Sequence, residues 1–140
     1  MNIHDTGGLA RSDHMRSVRY HTVKMSKITQ PTESFYGMGD KASHSNLKGK
    51  RLNNWVMDQY AFGKDQDPLY KAIPFYIGLH SGQAYGIFFD NSFRTQFDFA
   101  HERRTTTSFW ADGGEMNYYF FYGPEMYKVV RAYSNLTGVP

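Results

Sequence analysis

The sequence predicts a mainly β fold that ends in one amphipathic helix. Of the 140 residues, 17% are aromatic, and the second half of the chain is a succession of short segments rich in aromatic or β-branched residues. Flat rings and branched side chains pack well on a pleated, half-buried surface. A chain of this length corresponds to one domain, which can bury roughly two thirds of its unfolded surface around a single core.

The N-terminal part of the chain divides into a lead and a first strand. The stretch Met1–Asp13 is polar, contains glycine and has no period. We therefore interpret residues 1–16 as a disordered lead or an expression remnant, and residues 17–140 as the folded domain. In Ser17–Ile28 apolar residues alternate at first and then drift, which predicts an edge strand.

Five further strands are predicted in meander order, each short and bounded by turn formers. They are Ala72–His80, Gln83–Asn91, Ser92–Ala100, Arg104–Ala111 and Glu115–Gly123. Two connections contain glycine, which accepts the positive φ that tight hairpins need. We therefore predict hairpins at Ser81-Gly82 and at Asp112-Gly113-Gly114.

The last predicted strand and the helix after it close the chain. Apolar residues occupy both faces of that strand, so each face needs cover, which a neighbouring domain could provide in part. After Pro124, apolar residues recur with helical spacing at Met126, Val129, Val130 and Tyr133. Glu125 near the start and Gly138 just past the end are typical of helix termini.

The segment from Gly37 to Pro68 has no clear period and mixes Gly, Asn, Lys and Asp with isolated aromatic residues. It is interpreted as a functional loop, either ordered or partly mobile. The stretch Trp55–Phe75, WVMDQYAFGKDQDPLYKAIPF, places the lone carboxylate of Asp58 between large side chains, a layout that suits a loop beside a sugar site. Asp65 and Asp67 are interpreted as turn or cap residues.

Composition excludes several classes of function. The formal net charge of +3 comes without a dense basic run, so no nucleic-acid partner is expected. No apolar stretch approaches the roughly 20 residues that span a bilayer, so no membrane contact is expected either. The absence of cysteine leaves the cellular compartment open. The six histidines show no paired ligand spacing, so neither a metal site nor a cofactor is predicted.

Eight short blocks follow one another in order from about Tyr20 to Pro140. They are Glu33–Asp40 (ESFYGMGD), Asn46–Gly49 (NLKG), Trp55–Asp58 (WVMD), Asp67–Lys71 (DPLYK), Ile73–Phe75 (IPF), Tyr85–Asn91 (YGIFFDN), Tyr122–Pro124 (YGP) and Leu136–Pro140 (LTGVP). Together they resemble the N-terminal domain of glycoside hydrolase family 31, the α-glucosidase and α-xylosidase group. Met38, Asp40 and Val56 depart from the residues usual in that family.

The resemblance implies an antiparallel β-sandwich of galactose-mutarotase-like type, packed on a catalytic (β/α)8 barrel that would follow Pro140. It further implies that one loop of the sandwich reaches the rim of the active site, where its aspartate contacts the bound sugar. By block position that aspartate is Asp58. Trp55 or Tyr60 could add a ring face against the sugar, although core packing beneath the loop is the alternative for Trp55.

No catalytic residue is predicted in this chain. Retaining glycosidases use two carboxylates about 5 to 5.5 Å apart, and nothing in the spacing of the aspartates pairs any two of them. Trp110-Ala111-Asp112-Gly113 resembles the family's tryptophan-any-aspartate-methionine signature, but glycine replaces the methionine. Asp112 is therefore interpreted as part of a turn and not as a nucleophile.

The function expected from the resemblance is that of a non-catalytic domain of a retaining α-glycosidase, an α-glucosidase foremost. It would supply a rim loop to a pocket for an α-linked oligosaccharide or glucoside, and it would be inactive by itself. Two alternatives stay open: a stand-alone carbohydrate-binding module, and a docking domain without a sugar site.

Overall fold

The computed structural model describes residues 22–139, in which there are eight strands and one helix. In chain order the elements are β1 (Val23–Ile28), β2 (Ser34–Gly39), β3 (Arg51–Asn54), β4 (Ala72–His80), β5 (Gln83–Phe89), β6 (Thr95–Phe99), β7 (Thr106–Ala111), β8 (Tyr118–Tyr122) and α1 (Met126–Thr137). The predicted lead and the first residues of the predicted edge strand lie outside the described residues.

The strands form two four-stranded sheets in which every pair of neighbours is antiparallel. The first sheet has the order β1-β7-β6-β3 and the second the order β2-β4-β5-β8. The predicted mainly β, antiparallel sandwich with one helix is therefore confirmed. No helix within residues 22–139 combines the length and hydrophobicity that crossing a bilayer requires.

Aromatic rings fill the space between the two sheets. The phenol ring of Tyr76 on β4 is fully buried and meets the rings of Phe35, Phe97 and Phe99 edge to face, with centroids 5.9, 6.1 and 5.1 Å away. Edge-to-face pairs of this kind add stability beyond the area that they bury. The high aromatic content of the sequence is thus explained by a core that draws rings from both sheets.

Helix α1 covers the outer face of the second sheet. Val129 is fully buried against Phe75, Ile77 and Ala84, and the ring of Tyr133 stacks on that of Phe75 with centroids 4.0 Å apart. The predicted helix is confirmed, and Gly138 follows its last residue. Only part of the predicted apolar face of α1 contacts the sheet. Met126 and Val130 belong to that face but are 37% and 45% exposed.

The two predicted hairpins have different outcomes. Ser81-Gly82 joins β4 to β5 with positive φ at both residues, and His80 pairs with Gln83. The hairpin predicted at Asp112-Gly113-Gly114 is wrong, because β7 lies in the first sheet and β8 pairs with β5 in the second. The simple meander order is wrong for the same reason, since the chain also changes sheet between β5 and β6.

The segment without a clear period contains structure that the sequence did not predict. β3 lies inside it, and β2 overlaps its start. β2 carries an irregularity between Gly37 and Gly39, where Met38 has a φ of 74°. A bulge of this kind removes the period-2 pattern by which a strand is detected.

Candidate functional site

Residues 55–71 connect β3 of the first sheet to β4 of the second. This loop carries all three of the residues predicted to face a sugar. Tyr60 is 98% exposed and Trp55 45%, and Asp58 is exposed as well. Within residues 22–139 the Asp58 carboxylate has no hydrogen-bond or ion-pair partner. Its oxygens are therefore available to a ligand.

The two arms of the loop are joined close to where it leaves the sandwich. Val56 and Leu69 form a parallel β-bridge, and the Met57 N–H donates to the Leu69 carbonyl at 3.0 Å. Leu69 is only 3% exposed, so the returning arm is seated on the sandwich. The backbone next to Asp58 is held in place by this bridge.

Aromatic side chains brace the outer part of the loop. The Tyr70 phenol donates a hydrogen bond to the carbonyl of Gln59, the residue after Asp58. The ring of Phe62 meets that of Tyr70 edge to face, with centroids 6.1 Å apart. Tyr70 thus links the returning arm to the tip of the loop, a role that the sequence did not suggest.

A buried ion pair lies where the loop begins and ends. Lys41 Nζ donates to Asp67 Oδ1 and to the Asn53 carbonyl, each at 2.5 Å. Asp67 Oδ2 accepts the Asn53 N–H at 2.5 Å and the Asn53 side-chain amide at 3.2 Å. The side chains of Lys41 and Asp67 are only 4% and 10% exposed. Asp67 is therefore not a simple turn or cap residue but part of a cross-link between three segments.

An exposed ion pair adds a second connection. Lys50 Nζ lies 2.9 Å from Asp65 Oδ1, and the Asp65 N–H donates to the Ala42 carbonyl at 2.6 Å. The hydrogen bond from Lys50 lowers the pKa of the Asp65 carboxyl from its ordinary value. Asp65 therefore connects the loop to the β2–β3 connection. Its carboxylate binds Lys50, whereas the Asp58 carboxylate has no partner within residues 22–139.

Other aspartates lie elsewhere in the domain. Asp98 is buried on β6, where Arg51 binds it at 3.1 Å and the His101 N–H donates to it at 2.8 Å. Asp112 lies exposed on the crossing from β7 to β8. Within the described residues no group of three or more His, Cys, Asp or Glu side chains is arranged to hold a metal ion.

Comparison with known proteins decides the family. The model of the glycosyl hydrolase 31 N-terminal galactose mutarotase-like domain matches residues 2–98 of this chain. The chain belongs to glycoside hydrolase family 31. The family and the galactose-mutarotase-like fold that the sequence blocks predicted are both confirmed.

The relatives of this family 31 chain include a glucosidase and a transferase by name. Alpha-glucosidase 2 of Bacillus thermoamyloliquefaciens is 38% identical over 116 residues, which are 80% of this chain and 14% of the relative. The isomaltosyltransferase of Sporosarcina globispora is 34% identical over 114 residues, 78% of this chain and 10% of the relative. This chain thus spans 10 to 14% of the length of these two relatives.

Solved structures agree with the sequence matches. A dextranase of the same family from Flavobacterium johnsoniae, in complex with isomaltotriose, superposes with a TM-score of 0.80 at 37% identity. The match covers 85% of this chain and 14% of the dextranase. The two-sheet arrangement is thus that of an experimentally known family 31 domain.

Proposed function

We propose that this domain supplies a sugar-contacting rim loop to the active site of a retaining α-glycosidase, foremost an α-glucosidase. The observation that carries the proposal is the Asp58 carboxylate, exposed and without a partner in residues 22–139, on a loop that is otherwise tied down. A carboxylate that accepts sugar hydroxyls forms charge-assisted hydrogen bonds, which are stronger and more directional than neutral ones. The exposed rings of Trp55 and Tyr60 offer apolar faces on the same loop.

The substrate class in this proposal is an α-linked glucoside or oligosaccharide. Two relatives of this chain carry the names alpha-glucosidase and alpha-xylosidase. The dextranase of known structure was solved in complex with isomaltotriose. The choice among these sugars lies with the catalytic barrel, because the domain contributes only one edge of the pocket.

The proposed partner is that (β/α)8 barrel within the same longer protein, which would hold the catalytic carboxylates. β8 and α1 expose large apolar side chains, among them Phe120, Tyr122 and Tyr127 at 59, 62 and 63%. Soluble domains rarely leave extensive apolar surface open to water, and such surface marks an interaction site. The barrel would cover the apolar side chains of β8 that the domain itself leaves exposed.

The test is Asp58→Asn in a full-length family 31 enzyme that carries this domain. Loss of a charged hydrogen-bond acceptor removes about 1.5 to 3 kcal/mol of binding, which corresponds to a fall in kcat/KM of about 10- to 160-fold. We expect most of the change in KM, because Asp58 contacts the sugar before and during the reaction.

The matched control is Asp65→Asn, which alters an acid of the same loop whose carboxylate is already bound to Lys50. It should leave kcat/KM within about threefold of the wild type. Equal kcat/KM values for Asp58→Asn and the wild type would show that Asp58 does not contact the sugar.

A further inference from the structure

The Lys41, Asp67 and Asn53 cluster joins the two ends of the rim loop. Asn53 is the second-last residue of β3, two positions before the loop begins at Trp55, and Asp67 lies near the end of the loop. Lys41 comes from a third segment, just after β2. Their hydrogen bonds span 12, 14 and 26 positions of sequence, so one partly buried cluster fixes three separate stretches of chain relative to one another.

We propose that Lys41 and Asp67 are positioning residues that hold the loop in a preformed shape, so that Asp58 meets the sugar without prior ordering. The proposal rests on the sugar-facing role of Asp58. A loop that is ordered before binding does not lose conformational entropy when the ligand arrives, which favours affinity.

The hydrogen bonds of the cluster indicate that it positions the loop and does not mainly stabilise the fold. A buried ion pair contributes little net stability, because the desolvation of two charges offsets their attraction, and a well-packed apolar pair is often as stable. The hydrogen bonds, however, are directional: Asp67 receives both the backbone and the side-chain N–H of Asn53, and Lys41 reaches the Asn53 carbonyl. An apolar pair would fill the same space without fixing the backbone of Asn53.

The experiment is amide hydrogen exchange of the chain with Lys41→Met and Asp67→Leu combined. This double variant removes both charges together, so neither is left buried alone. We expect exchange at Met57 and Asp65 to become at least about tenfold faster, while amides of β4 and β5 keep their protection. The Asn53 amide loses its own acceptor, Asp67 Oδ2, in this variant, so its faster exchange shows only that the cluster is broken. Asp67→Asn, which retains one acceptor oxygen, should give a smaller change at the same amides and provides a second variant if the first folds poorly.

The control is Lys50→Met with Asp65→Leu, which removes the exposed pair of the same loop. Because this pair is 34% and 44% exposed, its loss should affect only the Asp65 amide and its neighbours. Unchanged exchange at Met57 in the Lys41 and Asp67 double variant would overturn the proposal. Faster exchange of equal size in β4 and β5 would overturn it too, since the pair would then support the whole fold.

A kinetic measurement separates this proposal from that for Asp58. In a full-length family 31 enzyme, the double variant at Lys41 and Asp67 should raise KM about 3- to 30-fold with a smaller effect on kcat. If Asp58→Asn has no effect on KM while loop exchange still accelerates in the double variant, the cluster positions the loop but the sugar contact of Asp58 is wrong. If the loop stays protected, the positioning role is wrong whatever Asp58 does.

Discussion

Glu33 shows how a single charge is kept inside this fold. It is 2% exposed, yet it accepts hydrogen bonds from Lys27 Nζ at 2.7 Å, from the Gln30 N–H at 2.9 Å and from the Tyr85 phenol. Burial alone would raise the pKa of this carboxyl, but the three hydrogen bonds and the charge of Lys27 outweigh it and lower the pKa below its ordinary 4.5. Burial raises the pKa of the Tyr85 phenol, which therefore remains a donor.

We expect Glu33→Gln to lower the free energy of unfolding at neutral pH by about 1.5 to 3 kcal/mol. A carboxyl whose pKa is lowered by folding stabilises the protein above its unfolded pKa, and this contribution is lost as the pH falls through the folded value. The difference between wild type and variant should therefore shrink below pH 4.5. Urea unfolding of both proteins from neutral pH downward measures it.

The control for this pH dependence is Glu102→Gln, a change at a carboxylate that is 63% exposed and bound to Arg51. It should shift stability only slightly. Stability curves of wild type and Glu33→Gln that stay parallel across the acidic range would contradict the assigned charge of Glu33.

At the scale of elements, the contact between α1 and β5 depends on a missing side chain. A Cβ at Gly86 would lie 2.5 Å from Val129 Cγ1 and 2.8 Å from Phe75 Cε2. Both neighbours are buried at the interface, so neither has free space into which to move. The absence of a side chain at Gly86 is what allows the helix to approach the sheet.

Gly86→Ala should therefore push α1 from the sheet and reduce the free energy of unfolding by about 1 to 3 kcal/mol. Thermal unfolding measures the decrease in stability. Faster amide exchange at Val129 would show that the destabilisation is located at the helix. Gly63→Ala is the matched control, because a Cβ there meets nothing within 4 Å. Equal melting temperatures for the two variants would show that the interface tolerates the methyl group.

Prediction from sequence succeeded where an element follows its own local pattern. β4 was predicted with the bounds that it has, because a continuous apolar run ends at a two-residue turn. β3 was missed because it has four residues and two of them are asparagine. The hairpin after Asp112 was wrongly predicted although Gly114 has the expected positive φ of 80°. Glycine also permits close approach, and the ring of Phe93 lies 2.8 Å from where a Cβ of Gly113 would be. Sequence alone does not separate these two uses.

In the candidate site, too, some residues could be suggested from the sequence and others could not. Asp58 was selected through the order of sequence blocks that resemble family 31, and its contact with a sugar stays a prediction; the structure places its side chain in an exposed position. Lys41, Asn53 and Asp67 were not found as a group, because no local pattern relates a lysine to an aspartate 26 positions later. Such pairings are set by the path of the chain, which only the folded structure supplies.

At the scale of the whole molecule, the domain carries a binding edge but, in the proposed function, no chemistry of its own. We expect the 140-residue chain to show no turnover of an aryl α-glucoside, and calorimetry with isomaltose to give almost no heat. Half of a divided site offers too few contacts to offset the loss of translational and rotational freedom. Binding in the micromolar to millimolar range without turnover would instead favour a stand-alone carbohydrate-binding module, and turnover would contradict the proposal outright.

The pairing of β1 with β7 governs the order in which the domain can form. Ser26 and Ser108 share a hydrogen bond of 2.9 Å across 82 positions of sequence, whereas β4 and β5 are joined by a two-residue turn. Closing a long loop costs entropy before its contacts form, so distant strands pair late. During synthesis β1 cannot pair with β7 until β7 has left the ribosome, and we expect the β4–β5 hairpin to form before the first sheet is complete.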